Sequence, residues 1–423
     1  MLKISEIKID IPKYPKKIIE TLEENGYEAY IVGGCVRDVL LGTNPSDYDI
    51  TTNAEPQTVK KLFKRTIDTG IKHGTVTVLF YEDNKPYTYE VTTFRIDGEY
   101  DDARHPKDVV FVNDLREDLL RRDFTVNAMA YNEKVGLVDE FGGIVDLDKK
   151  IIRAVGNPVE RFTEDALRLL RAMRFAAKLG FEIEEETKNA IPKLAPSLSM
   201  VSKERVQVEL TKTITSDNPE FVKMVFELGL SKYITSDFDN INVGKFEKKL
   251  PTYMAYACLL YNTDVMLANK ILRDLRLDNS NISKTLMLLE AKELYKQIAK
   301  YYNDKDYDDF DLTVKELINY LDYDLAMDFV KLVSINAKDE SLQNKLSEDI
   351  AKLKIEQYPI FLRDLKVDGN DMMGLGFRGQ EIGVALNELL KFVHKDRQFN
   401  DKKLLQEIAK KAYNTYKGAP YEL

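Results

Sequence analysis

The sequence predicts an α+β protein: a small mixed head followed by a remainder built of helices alone. Three observations carry that reading. Short β-branched and aromatic runs alternate with amphipathic stretches only in the first third of the chain. From about Asp118 the apolar period becomes helical and stays so. Between the two regimes, Asp139-Glu-Phe-Gly-Gly-Ile-Val-Asp146 reads as a hinge.

Residues 14–25 read as an amphipathic helix ended by Gly26. Tyr30 to Thr52 reads as strand, Gly33-Gly34 turn, short helix, loop and strand, and Pro56 to Phe63 as another helix. Val76 to Phe80 and Tyr87 to Phe94 are strands joined by a turn at Glu82 to Pro86. Arg95 to Pro106 is polar and aperiodic, hence a mobile loop. Thr163 to Leu179 is one long helix, with Thr163 as N-cap, Glu164 and Asp165 in its first turn and Gly180 behind its end. Ser202 opens a further helix, and beyond about residue 216 only helices joined by short polar turns are expected.

Composition narrows the function classes. Hydrophobic residues make up 44% and charged residues 31%, which provides real cores and excludes a disordered chain. No run approaches the roughly 18 apolar residues of a membrane span, and Met1 to Asp10 lacks a signal pattern, so a soluble, cytoplasmic protein is expected. Two cysteines, Cys35 and Cys258, cannot build a disulfide framework and read as free thiols. Net charge is −9, so any nucleic-acid contact must come from local basic clusters such as Lys245 to Lys249 and Lys402-Lys403, each of which also reads as a solvated face. Three scattered histidines (His73, His105, His394) argue against a histidine-built metal hydrolase.

Three constellations carry chemistry. Asp47 and Asp49 stand two apart on an extended run and so share a face, where they can hold divalent cations. Gly33 and Gly34, without Cβ atoms, let a phosphate approach their backbone N–H groups. Glu90, mid-strand, is the candidate third carboxylate, or else the exposed face of an edge strand. In Arg121-Arg122-Asp123-Phe-Thr-Val-Asn127, Arg122 suits a triphosphate, and Asp123 and Asn127 suit ribose hydroxyls. The same stretch also reads as a helix capped by Asp123 with solvated arginines. Asp165, Arg168, Arg171 and Arg174 form a charged row beside the apolar stripe Leu167, Leu170, Met173 and Ala177. That row is either a salt-bridged helix face or a base reader. A carboxylate accepting from an exocyclic amine, beside a guanidinium donating to a ring nitrogen, favours cytosine and adenine over guanine and uracil.

With these residues in view, the sequence resembles the class II tRNA nucleotidyltransferases, that is, the CCA-adding enzymes and their poly(A) polymerase relatives. Gly33 to Asp38 with Asp47-Tyr-Asp49 resembles the family's first motif, and Arg121 to Ala128 its second. The Phe141-Gly-Gly turn, Glu164-Asp-Ala-Leu-Arg168 and Ser202-Lys-Glu-Arg-Val resemble the motifs that follow. Gly379 to Leu390 resembles a tail element of the bacterial enzymes, or is a helix packed through two glycines. The resemblance implies a DNA polymerase β-like nucleotidyltransferase head and helical neck, body and tail in seahorse-like order. The boundaries implied are 1–147, 148–215, 216–310 and 311–423. It implies a two-metal Mg²⁺ site on Asp47 and Asp49 supported by Glu90. Gly34, Arg37 and Arg122 would hold the triphosphate and sugar, and Asp165 with Arg168, Arg171 and Arg174 the base. Implied partners are CTP, ATP and the acceptor arm and 3′ end of tRNA. Thr69-Gly-Ile-Lys-His-Gly-Thr-Val is the form more typical of CCA enzymes than of poly(A) polymerases, and the intact Arg95 to Pro106 loop points to full CCA addition. A non-catalytic RNA-binding relative would be expected to have lost acids that this chain keeps.

Overall fold

The computed structural model describes residues 7–97, 109–337 and 339–418. The chain divides into two compact units, Met1–Asn240 with Asp274–Arg276, and Ile241–Arg273 with Leu277–Leu423.

The first unit opens with α1 (Lys13–Glu24), β1 (Ala29–Val32), α2 (Gly34–Leu40), β2 (Asp49–Thr52) and α3 (Pro56–Leu62). Next come β3 (Thr66–Gly70), β4 (Thr75–Glu82), β5 (Lys85–Thr93), β6 (Arg95–Asp97), β7 (Val109–Phe111) and α4 (Leu115–Leu120). The β4–β5 hairpin turns on Asp83 and Asn84, both at positive φ, a two-residue turn whose twist suits paired strands. Two more strands follow, β8 (Ala130–Asn132) and β9 (Gly136–Val138). The sheet runs β3-β4-β5-β2-β1-β8-β9. Its one parallel pair is β2 with β5, which aligns Ile50 with Val91 and so sets Asp49 beside Glu90. Val32 lies opposite Asp49, so the chain leaves β1 at Gly33 next to that acid. Beneath the sheet Tyr30, Val32, Phe94, Leu115, Leu119 and Ala130 form a buried cluster, which fixes α4 against the strands.

The rest of the unit is helical apart from one short parallel pair, β10 (Ile151–Ile152) with β11 (Glu182–Ile183). Its helices are α5 (Gly143–Lys149), α6 (Pro158–Glu164), α7 (Arg168–Leu179), α8 (Glu185–Leu194), α9 (Lys203–Ile214), α10 (Lys223–Glu227) and α11 (Ser231–Ile234). Leu167, Leu170, Met173 and Ala177 are all buried, as the stripe predicts.

Several expectations are corrected. The chain after Asp118 is not helical throughout: β8 and β9 belong to the head sheet, because Ala130 and Tyr131 add to the free side of β1. These strands are three residues long, too short to show a period of two. β3 has no such pattern either. The predicted helix over 163–179 is two helices. Asp165 is extended (φ −138°, ψ 103°) and accepts the Leu167 N–H through Oδ1, which interrupts the helical ladder. Asp123 caps no α-helix: only a 3₁₀ turn, Thr125–Asn127, follows it. Arg95–Asp97 pairs with β7 as a strand, and the remainder of the predicted loop, with His105, lies outside the described residues.

The second unit is built of α12 (Thr252–Leu259), α13 (Val265–Asp274), α14 (Asn279–Glu290), α15 (Lys292–Asp304) and α16 (Tyr307–Leu321). It continues with α17 (Tyr323–Asn336), α18 (Glu340–Ile355), α19 (Gly369–Gly374), α20 (Gln380–Lys395) and α21 (Lys402–Gly418). Leu389, Leu390 and Val393 of α20 and Leu405 of α21 share a buried core with Leu365 and Met372. No described helix is long and apolar enough to cross a membrane.

Candidate active site

A cleft of about 1040 Å³ in the first unit gathers every residue singled out from the sequence, from Gly33 to Arg174. One of its sides is the acid end of the sheet. Asp47, Asp49 and Glu90 all open onto it and are solvent-accessible. Glu90 is on an interior strand between β2 and β4, not an edge, so its charge is aimed into the cleft rather than shed to solvent. Burial pushes the Asp49 carboxyl up to about 6, Asp47 and Glu90 add to that, and Arg122 opposes it. Asp49 thus keeps a water-accessible edge while the protein crowds the rest of it. Among the described residues no three acid, histidine or cysteine side chains already converge as a metal cage. A pair of crowded, solvent-facing carboxylates nevertheless fits Mg²⁺, which takes few protein oxygens and completes its shell with water and phosphate.

Beside the acids stands Arg122. Asp118 of α4 is fully buried, accepts from Thr51 of β2 at 3.1 Å, and pairs with Arg121 (2.7 Å) and Arg122 (3.2 Å). Burial pushes this carboxyl up, yet the two arginines win and hold it below the usual range. Gly33 has φ +80°, and a Cβ there would stand 2.9 Å from the Arg122 Nη1. Only glycine lets β1 end against that guanidinium.

The opposite wall is the α7 side. Arg37, 2% exposed, pairs with Asp38 at 2.6 Å and donates to Asn127 Oδ1. Asn127 donates to Asp123 Oδ1 at 3.0 Å, and Arg171 binds Asp123 Oδ2 at 2.6 Å. Burial pushes Asp123 up, but Arg171 and Asn127 prevail and bring it down to about 2. Glu209 of α9 continues the chain to Arg174 at 2.9 Å. Arg37, Arg171 and Arg174 all lie over the Phe175 ring, at 5.4, 5.2 and 4.0 Å. Cation–π contact and interleaved acids keep three like charges together.

Asp165 and Arg168 line the same wall but do not pair with each other. Asp165 Oδ2 meets Arg205 of α9 at 2.8 Å. Arg168 Nη1 is held by Glu164 (2.6 Å) and the Arg161 carbonyl (2.9 Å), and Nη2 by the Arg121 carbonyl (2.6 Å), so both terminal nitrogens are engaged within the protein. The sequence reading missed Asp118, Glu209 and Phe175, and held Arg205 only as part of Ser202-Lys-Glu-Arg-Val, with no role of its own. Asp118 was findable, because it precedes Arg121 and Arg122 at i,i+3 and i,i+4 spacing. Nothing local marks Glu209 or gives the partner of Arg205, since their partners are 35 or more and 40 residues away.

Comparison with known proteins bears on this geometry. The Poly A polymerase head domain family matches residues 29–153, and the family described as probable RNA and SrmB-binding site of polymerase A matches 180–241. The chain is 35% identical to the CCA-adding enzyme of Ligilactobacillus salivarius over 95% of this chain and 98% of that one. It is 36% identical to that of Anoxybacillus flavithermus over 93% and 95%. The crystal structure of Bacillus stearothermophilus CCA-adding enzyme in complex with CTP superposes with a TM-score of 0.78 at 28% identity, covering 96% of this chain and all of that one. Near-complete coverage by such relatives extends the likeness beyond the head, and the chain belongs to the family of CCA-adding enzymes, nucleotidyltransferases of class II.

Proposed function

We propose that this chain rebuilds the 3′ end of tRNA by adding C, C and A from CTP and ATP, with protein side chains in place of a nucleic-acid template. The observation that carries this reading is that the acids Asp47, Asp49 and Glu90 and the residues Asp165 and Arg168 open into one cleft of one unit. Reaction and selection then act on the same bound nucleotide. Asp47 and Asp49, with Glu90 in support, would hold two Mg²⁺ ions, which supply charge neutralisation of the triphosphate and acidify the attacking hydroxyl. The tRNA 3′-hydroxyl attacks the α-phosphate and pyrophosphate leaves.

The remaining roles follow from the donor inventory. Gly33 and Gly34 let the triphosphate lie close to the backbone, and Arg122, fixed by Asp118, faces it. Arg37 acts through Asn127, keeping it and Asp123 in place for the ribose hydroxyls. Arg171 and Arg174 hold that row against α9. Asp165 accepts from the exocyclic amine of cytosine or adenine, and the Arg168 guanidinium donates to the adjacent ring nitrogen. Guanine and uracil present the reverse order and leave both groups unmatched, which costs more than a missing contact.

The acceptor arm would be gripped by the helical regions in the division neck 148–215, body 216–310 and tail 311–423, behind a head at 1–147. A cytoplasmic place of action accords with two free, buried thiols. The test is purified protein with tRNA transcripts ending at the discriminator base, at C, or at CC, each given CTP and ATP. Completion of all three to CCA is expected. Long A tails on unrelated RNA would indicate a poly(A) polymerase instead, a stop at CC the partial enzyme, and no incorporation a binding protein.

A further inference from the structure

The second unit holds a pocket of about 750 Å³ where the end of α18, residues 357–366 and residues 397–401 meet. Its aromatic lining is Tyr323, Tyr358 and Phe361, with Tyr323 and Phe361 edge to face at 5.8 Å. Its cations are Lys354, Arg363, Lys366 and Arg397, of which Lys354 pairs with Asp324 at 2.7 Å and lies over the Tyr323 ring at 5.8 Å. Arg363 lies over Phe361 at 4.4 Å and Arg397 over Tyr358 at 6.0 Å. All four cations are exposed. The acids nearby are committed elsewhere: Asp364 Oδ2 accepts the Ile360 and Phe361 N–H groups, and Asp401 Oδ1 those of Lys403 and Leu404. In a chain of net charge −9, this is a local excess of positive charge set on aromatic faces.

The wall behind the pocket is braced. Lys315, 3% exposed, donates to the His394 carbonyl at 2.6 Å, pairs with Asp311 at 2.6 Å, and lies over the Tyr358 ring at 4.2 Å. Tyr358 Oη donates to the Val393 carbonyl, and His394 Nε2 lies 2.9 Å from the Ile360 carbonyl. The segment that carries Phe361 and Arg363 is therefore pinned to α16 and α20 from beneath, which leaves its outer face preorganised.

We propose that this pocket binds an unpaired nucleotide of an RNA, with the base stacked on Phe361, its edge toward Tyr323, and the flanking phosphates on Arg363 and Arg397. Every base has a π-face that an aromatic side chain can cover, and guanidinium groups match phosphate oxygens. An acidic peptide would satisfy the arginines and leave the rings uncovered. The inference rests on the reading of the chain as a tRNA-dependent enzyme, but the site is far along the chain from the cleft residues and is tested separately.

The chain contains no tryptophan, so Phe361→Trp installs a lone reporter at the stacking position. Titrating this variant with a tRNA transcript, in the absence of nucleoside triphosphates, should quench its fluorescence saturably. Adding Arg363→Ala and Arg397→Ala should weaken that titration about tenfold. The slope of log affinity against log salt should fall by roughly 0.7 per arginine removed. In turnover the loss should appear as a raised KM for tRNA. No quenching at saturating tRNA, equal affinity with and without the arginines, or quenching by AMP but not by tRNA would each overturn the proposal. A chain that extends no tRNA end but still shows arginine-dependent quenching by tRNA would overturn the activity and leave this site in place.

Discussion

The two sides of the cleft are built on opposite electrostatic principles. On the sheet side, Asp47, Asp49 and Glu90 face one another with little to offset them, and Asp49 is pushed up to about 6. On the α7 side, Arg37, Asp123, Asp165, Arg168, Arg171 and Arg174 each have a charged protein partner, and the buried Asp123 is held down to about 2. The first side is unfavourable as it stands and becomes favourable when cations and a triphosphate arrive. The second is satisfied in advance and so holds its shape while bases of different size are tried against it. Chemistry tolerates a wall that reorganises around ions, whereas selection by hydrogen bonds requires one that does not move.

Removing an acid from the sheet side should have the largest effect. Asp47→Ala or Asp49→Asn should lower kcat about 10³-fold, near 4 kcal/mol of transition-state stabilisation. Neither should lower the unfolding temperature of the metal-free protein, which differential scanning calorimetry would read. An Asp49→Asn protein with undiminished activity would break the contrast at its origin. The α7 side should respond the other way round. Asp123→Ala leaves Arg171 without its buried partner and should cost about 3 kcal/mol of stability by chemical denaturation.

The next effect is on selection. Asp165→Ala should lower discrimination of CTP and ATP against UTP and GTP by about tenfold or more in kcat/KM. Unchanged discrimination would remove the base-reading role from this wall. The smallest effect is on pH dependence, where the two sides differ in sign. Asp123, depressed in the fold, contributes stability that is fully present above its unfolded value near 3.9 and is lost as pH falls toward 2. Asp49, raised in the fold, favours the folded state only while protonated, so its ionisation between about pH 4 and 6 lowers stability. Accordingly the stability difference between wild type and Asp49→Asn should open as pH rises from about 4 to 6 and stay constant above, and that of Asp123→Ala should close as pH falls below 4. Mn²⁺ binding, followed by electron paramagnetic resonance, should weaken below pH 6 as protons compete for Asp49. Parallel pH curves for the two variants would contradict the contrast.

What was legible in the sequence follows from how local each signal is. Asp47 and Asp49 could be paired by eye because an extended chain repeats every two residues, although β2 itself begins only at Asp49. Gly33 could be placed because only glycine accepts that turn. The stripe of α7 was visible through its helical period, and all four of its predicted apolar residues are buried. The break at Asp165 was not visible. A carboxylate three residues before Arg168 reads as an i,i+3 pair, and only its capture of the Leu167 N–H turns it into a helix interruption. The short strands β8 and β9 carry no pattern of their own and exist because β1 offers them an open edge.

The sequence by itself determined the chemistry available: which acids, which arginines, which glycines, and the order in which the chain presents them. Tertiary structure alone decided the pairings. Arg168 took Glu164, one turn before it, rather than Asp165, while Asp165 went to Arg205 and Asp123 to Arg171, because packing α7 against α9 and the head sheet brings charges from distant segments within 3 Å. Periodicity reports which face of its own element a side chain occupies. The partner across that face is set by how elements pack, and burial then forces each charge to take the partner that packing provides.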